Sequence, residues 1–217
     1  MTEEHDDAAQ AASDDPQAMW DARYQERPAL WGDEPNVFVR HHATALPPGT
    51  ALDLGCGDGR HAVWLAREGW EVTAADFSSV ALARGAEVAE HLGVEVTWLE
   101  RDVTRWAPPA RAFDLVLLAY LHLPSATFAT VLRDAVDAVA PGGHLLLVGH
   151  HADNLEHGVG GPPDPDLLQS EEQVLAALEG LTIHRAEQAT RPVTGDDGVT
   201  RDALDLVVLA QRPDARG

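Results

Sequence analysis

Three acids and a run of glycines hold the positions in this chain where chemistry is most easily done. The stretch "ALDLGCGDGRHAVWLAREG", residues 51–69, places Asp53 at the end of an apolar run, with Gly55, Gly57 and Gly59 following at alternate positions. Two more acids close later runs, Asp76 in "AADFS" and Asp102 in "LERDV". A carboxylate just past a strand can accept hydrogen bonds from ribose hydroxyls, and glycines there let a backbone approach a ligand closely. The spacing G-x-G-x-G departs from the dinucleotide fingerprint G-x-G-x-x-G, because its third glycine comes one residue early. The acids and glycines together therefore predict a nucleoside site with no phosphate to hold. Further on stand groups able to take a proton near neutral pH: His122 in "AYLHLP", with Tyr120 beside it, and the pair His150-His151. His122 is the first choice as general base, Tyr120 its neighbour in the pocket, and His150 a residue facing substrate.

The elements that must position these residues follow from periodicity. "ALDL" reads as a buried strand, "HAVWLAREG" as a helix stopped by Gly69, and "WEVTAADF" as a second strand. A helix over "SSVALARGAEVAEHLG", a strand over "VEVTWLE" and a continuous apolar strand over "AFDLVLLAY" come next. In "PSATFATVLRDAVDAVA" the residues Phe128, Val131, Leu132, Ala135, Val136 and Val139 mark one helical face, and "PGG" then turns the chain into a strand "HLLLVGH". Strands alternating with helices, most of them apolar on both faces, predict a doubly wound parallel sheet covered on both sides. The ending differs. A helix over "SEEQVLAALEG", opened by a capping box of Ser170 with Gln173, leads to two strands joined around "GDDG", which must be antiparallel. The Gly/Pro-rich stretch 150–169 is a long loop, expected to act as a lid over the site.

Ahead of this pattern, residues 1–15 carry six acids and no arginine and read as a disordered acidic tail. Residues 16–217 then form one domain, with an N-terminal helical cap over 16–48 built from "PQAMWDARYQER" and "PNVFVRHHATAL". Trp20 and Tyr24 lie four apart on one helical face, where they line a lid or simply pack a short helix onto the sheet. Trp31 follows in the loop "LWGDEPN".

Composition removes several chemistries. The formal charge is −21, and all 15 basic residues are arginine, so a Schiff base, a P-loop lysine and a lysine general base are excluded. Such an acidic chain repels nucleic acid and anionic membrane surfaces. Cys56 is the one cysteine, so no disulfide forms within the chain, and inside the glycine turn it reads as a small buried residue. No metal is expected from His41-His42 or His150-His151, since neighbouring residues point in different directions. The acidic N-terminus without an apolar stretch is expected for a cytoplasmic protein.

Taken in order, "DLGCGDG", "AADFS", "ERDV", "FDLVLLA" and "PGGHLLLV" resemble the class I S-adenosylmethionine-dependent methyltransferases over residues 50–210. The segments "WDARYQERPALWGDEPN" and "GDGRHAVWLAREGWEVTAAD" are similar to the subgroup containing the tellurite-resistance and thiopurine methyltransferases. The resemblance implies a seven-stranded α/β sheet of order 3-2-1-4-5-7-6 with strand seven antiparallel, and S-adenosylmethionine as the cofactor. It also implies roles: Gly55, Cys56, Gly57 and Gly59 pass the methionine and ribose, Asp76 with Phe77 holds the ribose hydroxyls, and Asp102 holds the adenine amine with the Val103 amide at the ring. Asp53 orients the glycine loop or the methionine ammonium, Ala119 lies beside the cofactor, and Trp31 is the aromatic facing the substrate. "AYLHLP" lacks the Asn-Pro-Pro-Tyr or Asp-Pro-Pro-Tyr element, which points away from base- and amide-nitrogen acceptors. The expected acceptor is a small molecule: a thiol, a chalcogen oxyanion or another small nucleophile. The alternative is an S-adenosylmethionine-binding sensor or partner subunit without methyl transfer.

Overall fold

The computed structural model describes residues 16–26, 34–195 and 197–214. The expected acidic tail, the "GDDG" position 196 and Trp31 lie outside them. Two short helices come first, α1 (Pro16–Glu26) and α2 (Val37–Ala43), the second capped by the Asn36 side chain, which accepts from the Phe38 amide at 2.8 Å. Then strands and helices alternate as the periodicity predicts: β1 (Thr50–Leu54), α3 (Arg60–Arg67), β2 (Glu71–Asp76), α4 (Ser79–Leu92), β3 (Val96–Glu100), β4 (Phe113–Ala119), α5 (Ser125–Ala138) and β5 (Val139–His150). The chain closes with α6 (Asn154–His157), α7 (Glu171–Leu175), β6 (Thr182–Thr194) and β7 (Thr200–Gln211).

The sheet order is β3-β2-β1-β4-β5-β7-β6, with the first five strands parallel and β7 antiparallel to both neighbours. Side chains alternate across a strand, so each apolar strand feeds two cores. Leu52, Leu54, Val116, Leu118, Leu145 and Leu147 pack on one face with Phe128, Val131, Leu132 and Val136 of α5. Ala51, Leu115, Leu117, Leu146 and Val148 face the other way, against Val39 of α2, Ala62 and Leu65 of α3 and Leu82 of α4. Asp53, between Leu52 and Leu54 on β1, is thereby directed to this second face and buried there, 1% exposed.

One element departs from the sequence reading in detail. β5 begins at Val139 and runs through "PGG" without a separate turn; Gly142 adopts a left-handed φ of 79°, and Gly142 and Gly143 exchange backbone hydrogen bonds with Arg212. Pairing with the end of β7 thus absorbs the glycines as an irregularity in the strand. The 150–169 segment, expected to act as a lid, is tied to the sheet. Its two ends are joined by Gln169 N–H to the His150 carbonyl (3.1 Å) and Ala152 N–H to the Gln169 carbonyl (2.8 Å), and the Asn154 side chain accepts from the Leu204 amide of β7 at 2.7 Å. The capping box of Ser170 and Gln173 forms as expected.

Candidate functional site

The glycine turn leaves β1 at the carboxyl edge of the sheet, the side on which doubly wound folds bind ligands. Gly55 and Cys56 N–H both donate to the Ala75 carbonyl of β2, at 2.8 and 3.1 Å, which folds the turn back toward Asp76. Gly57 (φ 56°) and Gly59 (φ 78°) are left-handed, a conformation that disfavours residues with a Cβ. Their missing side chains also make room. A Cβ at Gly57 would lie 2.3 Å from the Tyr24 hydroxyl, and one at Gly59 would lie 2.3 Å from the Trp98 ring. The turn is thus a floor on which α1 and β3 rest as well as a ligand approach.

Asp76 is held by this floor: its carboxylate accepts from the Gly57 amide at 2.8 Å and the Ser78 amide at 2.9 Å. Burial raises its pKa, opposed by those amides. Ser78 in turn caps α4 by accepting from the Ala81 amide, and its hydroxyl meets Asp21 of α1. The Phe77 carbonyl accepts from the Gln17 side chain at 3.0 Å, so α1 is pinned across the ends of β2 and β1. Trp20 and Tyr24 pack with ring centroids 5.8 Å apart, and Tyr24 is buried. Asp102 sits two residues past β3, where its carboxylate accepts from the Thr104 amide (2.9 Å) and hydroxyl (2.6 Å) and lies 3.5 Å from Arg105. Val103 is buried in the core beside it, and Cys56 is buried with its thiol pushed well up by burial.

Asp53 stands apart. Among the described residues neither carboxylate oxygen has a hydrogen-bond partner of good geometry, and the Ala62 amide gives only partial support. Burial, with Asp76 nearby, lifts its pKa to about 7, while Arg60 opposes the rise. A buried acid without partners is costly unless something supplies the missing donors. A cationic amine has the chemistry to do so.

A second cluster lies across the edge at the ends of β4 and β5. Tyr120, itself left-handed (φ 56°), donates its hydroxyl to Asp205 at 2.7 Å and accepts from the Asn36 side chain at 2.7 Å. Burial and the Asp205 charge raise its pKa. Asp205 is fully buried on β7, directly across from His150 in the β5–β7 register, and also takes the Arg191 guanidinium of β6, with Nε at 2.6 Å. Burial pushes Asp205 up, but its bonds with His150, Arg191 and Tyr120 more than offset this and hold it below the usual carboxylate range. His122 stacks on His150 with ring centroids 5.5 Å apart and planes 15° from parallel; its Nε2 is buried without a partner, and burial lowers its pKa to about 4. Ala119, at the end of β4, is half-buried next to Tyr120. His151 does not join this cluster: its Nε2 pairs with Glu171 at 2.8 Å and its Nδ1 accepts from the Asp153 amide. Asn36, Arg191 and Asp205 were missed in sequence. Of the three, only Asp205 leaves a trace there, as an acid inside the apolar strand "ALDLVVLA".

Comparison with known proteins agrees with this architecture. Residues 51–143 match the family described as "Methyltransferase domain". The chain is 36% identical over 103 residues to the demethylmenaquinone methyltransferase of Thermus thermophilus, covering 46% of this chain and 47% of that protein. It is 28% identical to a ubiquinone biosynthesis O-methyltransferase of a Methylobacterium species, across 89% of this chain and 94% of the relative. Against the first of the curated relatives it matches, the chain spans about half their length. Among solved structures, TehB of Haemophilus influenzae superposes with a TM-score of 0.71 at 17% identity, covering 89% of this chain and 67% of that one. A SAM-dependent methyltransferase of Methanosarcina mazei gives 0.64 at 16% identity, over 84% of this chain and all of its own. The domain match, the methyltransferase relatives and the sheet order support a class I S-adenosylmethionine-dependent methyltransferase, and S-adenosylmethionine is the cofactor they imply. The residues fit it: a buried carboxylate lacking donors, a glycine floor without Cβ atoms, and Asp76 and Asp102 at the next two strand ends.

Proposed function

We propose that this chain transfers a methyl group from S-adenosylmethionine to a small-molecule acceptor. Bound there, the cofactor supplies an electrophilic methyl group on a sulfonium sulfur. The observation that carries the reading is Asp53, whose buried oxygens lack partners at the head of the glycine turn. Asp53 would take the methionine ammonium. Gly55, Cys56, Gly57 and Gly59 would form the floor under the methionine and ribose, Asp76 with Phe77 would receive the ribose hydroxyls, and Asp102 with Val103 would hold the adenine. Ala119 would lie beside the cofactor, and Tyr120, His122 and His150 would form the acceptor side, joined by Trp31. Alignment is most of what such a site must contribute, since well-oriented reactants gain roughly 7–11 kcal/mol.

The likeness to TehB is one of fold; the tie to the tellurite-resistance and thiopurine subgroup rests on the sequence segments quoted above and would make a thiol, a chalcogen oxyanion or another small nucleophile the acceptor. The charge of −21 supports a small molecule over nucleic acid. No described helix is long and apolar enough to cross a membrane. A screen of thiols, selenite or tellurite, phenols and amines for release of S-adenosylhomocysteine tests the proposal. Release with at least one class is expected. Cofactor binding without release from any of them would overturn the transfer reading in favour of a binding protein.

A further inference from the structure

Across the edge from the glycine turn, His150 and Asp205 occupy facing positions of two antiparallel strands. The Nδ1 atom of His150 is buried 3.4 Å from an Asp205 oxygen and has no formed hydrogen bond among the described residues, a contact of the kind that catalytic pairs often show before a ligand tightens them. Asp205 is fully buried and cannot swing away, because Tyr120 (2.7 Å) and Arg191 (2.6 Å) hold its other oxygen. The imidazole is equally confined. The His122 ring stacks on it, the Tyr120 ring lies 5.0 Å off, and a Cβ at Gly161 of the 150–169 segment would come within 2.9 Å. A carboxylate facing Nδ1 keeps the proton of the neutral ring on that nitrogen, and so leaves the lone pair on Nε2. The same carboxylate stabilises the imidazolium that forms once Nε2 takes a second proton. Among the described residues no carboxylate pairs with His122, and burial with its neighbours His150 and Arg23 keeps it neutral.

We infer that His150 is the catalytic base of this site and Asp205 its positioning residue, so that the acceptor is a molecule carrying its own O–H or N–H proton. The inference rests on the methyl-transfer reading above and narrows its acceptor class. The acceptor's O–H or N–H bond breaks, its proton passes to Nε2 of His150, and the freed electron pair forms the new bond to the methyl carbon. The pair of the methyl–sulfur bond returns to sulfur, and the imidazolium later gives its proton to water. Tyr120 and Arg191 face Asp205 and supply the remaining donors; His122 is the other titratable group against the ring.

Nitrogen-resolved NMR of the histidines, on the cofactor-free protein near neutral pH, tests the arrangement without reference to turnover. His150 is expected as the Nδ1–H tautomer, with that preference lost in Asp205→Asn; an Nε2–H tautomer in the parent protein overturns the inference, whatever the enzyme transfers. Should Asp205→Asn not fold, the parent spectrum and His150→Gln decide. Removing a general base typically costs about 10²–10⁴-fold, so His150→Gln is expected to lose at least about 100-fold in kcat on phenol or amine acceptors while losing under about tenfold on selenite or a pre-ionised thiol. Equal losses on both classes would overturn the inference. S-adenosylhomocysteine affinity is expected unchanged in His150→Gln, which separates a failure here from a failure of the cofactor reading.

Discussion

Two buried carboxylates lie at the same edge of one sheet and have opposite surroundings. Asp205 receives the Tyr120 hydroxyl and the Arg191 guanidinium and faces His150, and these hold it ionised below the ordinary range. Asp53, 1% exposed, has no well-formed partner, and burial lifts it to about 7. The first is complete within the fold; the second is complete only when something arrives. The difference separates what the protein spends on building its site from what it leaves for a ligand to finish.

The pH signs follow from the same contrast. A depressed pKa stabilises the fold above the unfolded value and is lost in acid, so Asp205 contributes at neutral pH and ceases to as pH falls through its folded value. A raised pKa works the other way: the folded state holds the Asp53 proton more tightly, so its cost grows as pH climbs from about 4 to about 7.

Breaking the complete carboxylate has the largest effect. Asp205→Ala leaves the half-buried Arg191 guanidinium and the Tyr120 hydroxyl without their partner and is expected to cost about 3–5 kcal/mol, read by urea denaturation. Next comes Asp53→Asn, expected to weaken cofactor binding by about 1.5–3 kcal/mol, or roughly 10–150-fold, while raising the melting temperature of the cofactor-free protein above pH 7. A fall in both stability and affinity would show that Asp53 is a structural acid like Asp205. Third, Gly57→Ala places a Cβ against the Tyr24 hydroxyl at a left-handed φ, and is expected to cost about 1–2 kcal/mol from the backbone alone and to expose α1 to proteolysis. Smallest is a pH effect. Cofactor affinity is expected to rise by up to about tenfold from pH 6 to pH 8 as Asp53 loses its proton, with a flatter profile in Asp53→Asn.

The fold was legible because its signals are local. Apolar runs of strand length, the helical face of Phe128 to Val136 and the closing hairpin each lie within a short stretch and give a parallel sheet with an antiparallel ending, while the strand order was implied only by the family resemblance. The placement of Asp53, Asp76 and Asp102 at one sheet edge was legible for the same reason, since each ends or follows a recognisable strand. What the glycines accommodate was less so. Tyr24 reaches Gly57 and Trp98 reaches Gly59 only through the folded arrangement of α1 and β3. The Asn36–Tyr120–Asp205–Arg191 network joins residues from four parts of the chain through side chains alone, and no spacing encodes it. An acid amid the apolar residues of β7 was the one sign of it.

Calorimetric titration of the purified chain with S-adenosylmethionine and S-adenosylhomocysteine, alongside Asp53→Asn, tests the central claim most directly. Saturable one-site binding by the parent, weakened roughly 10–150-fold in the variant, is the result expected of a carboxylate waiting for an ammonium. A folded parent protein that binds neither molecule would contradict it.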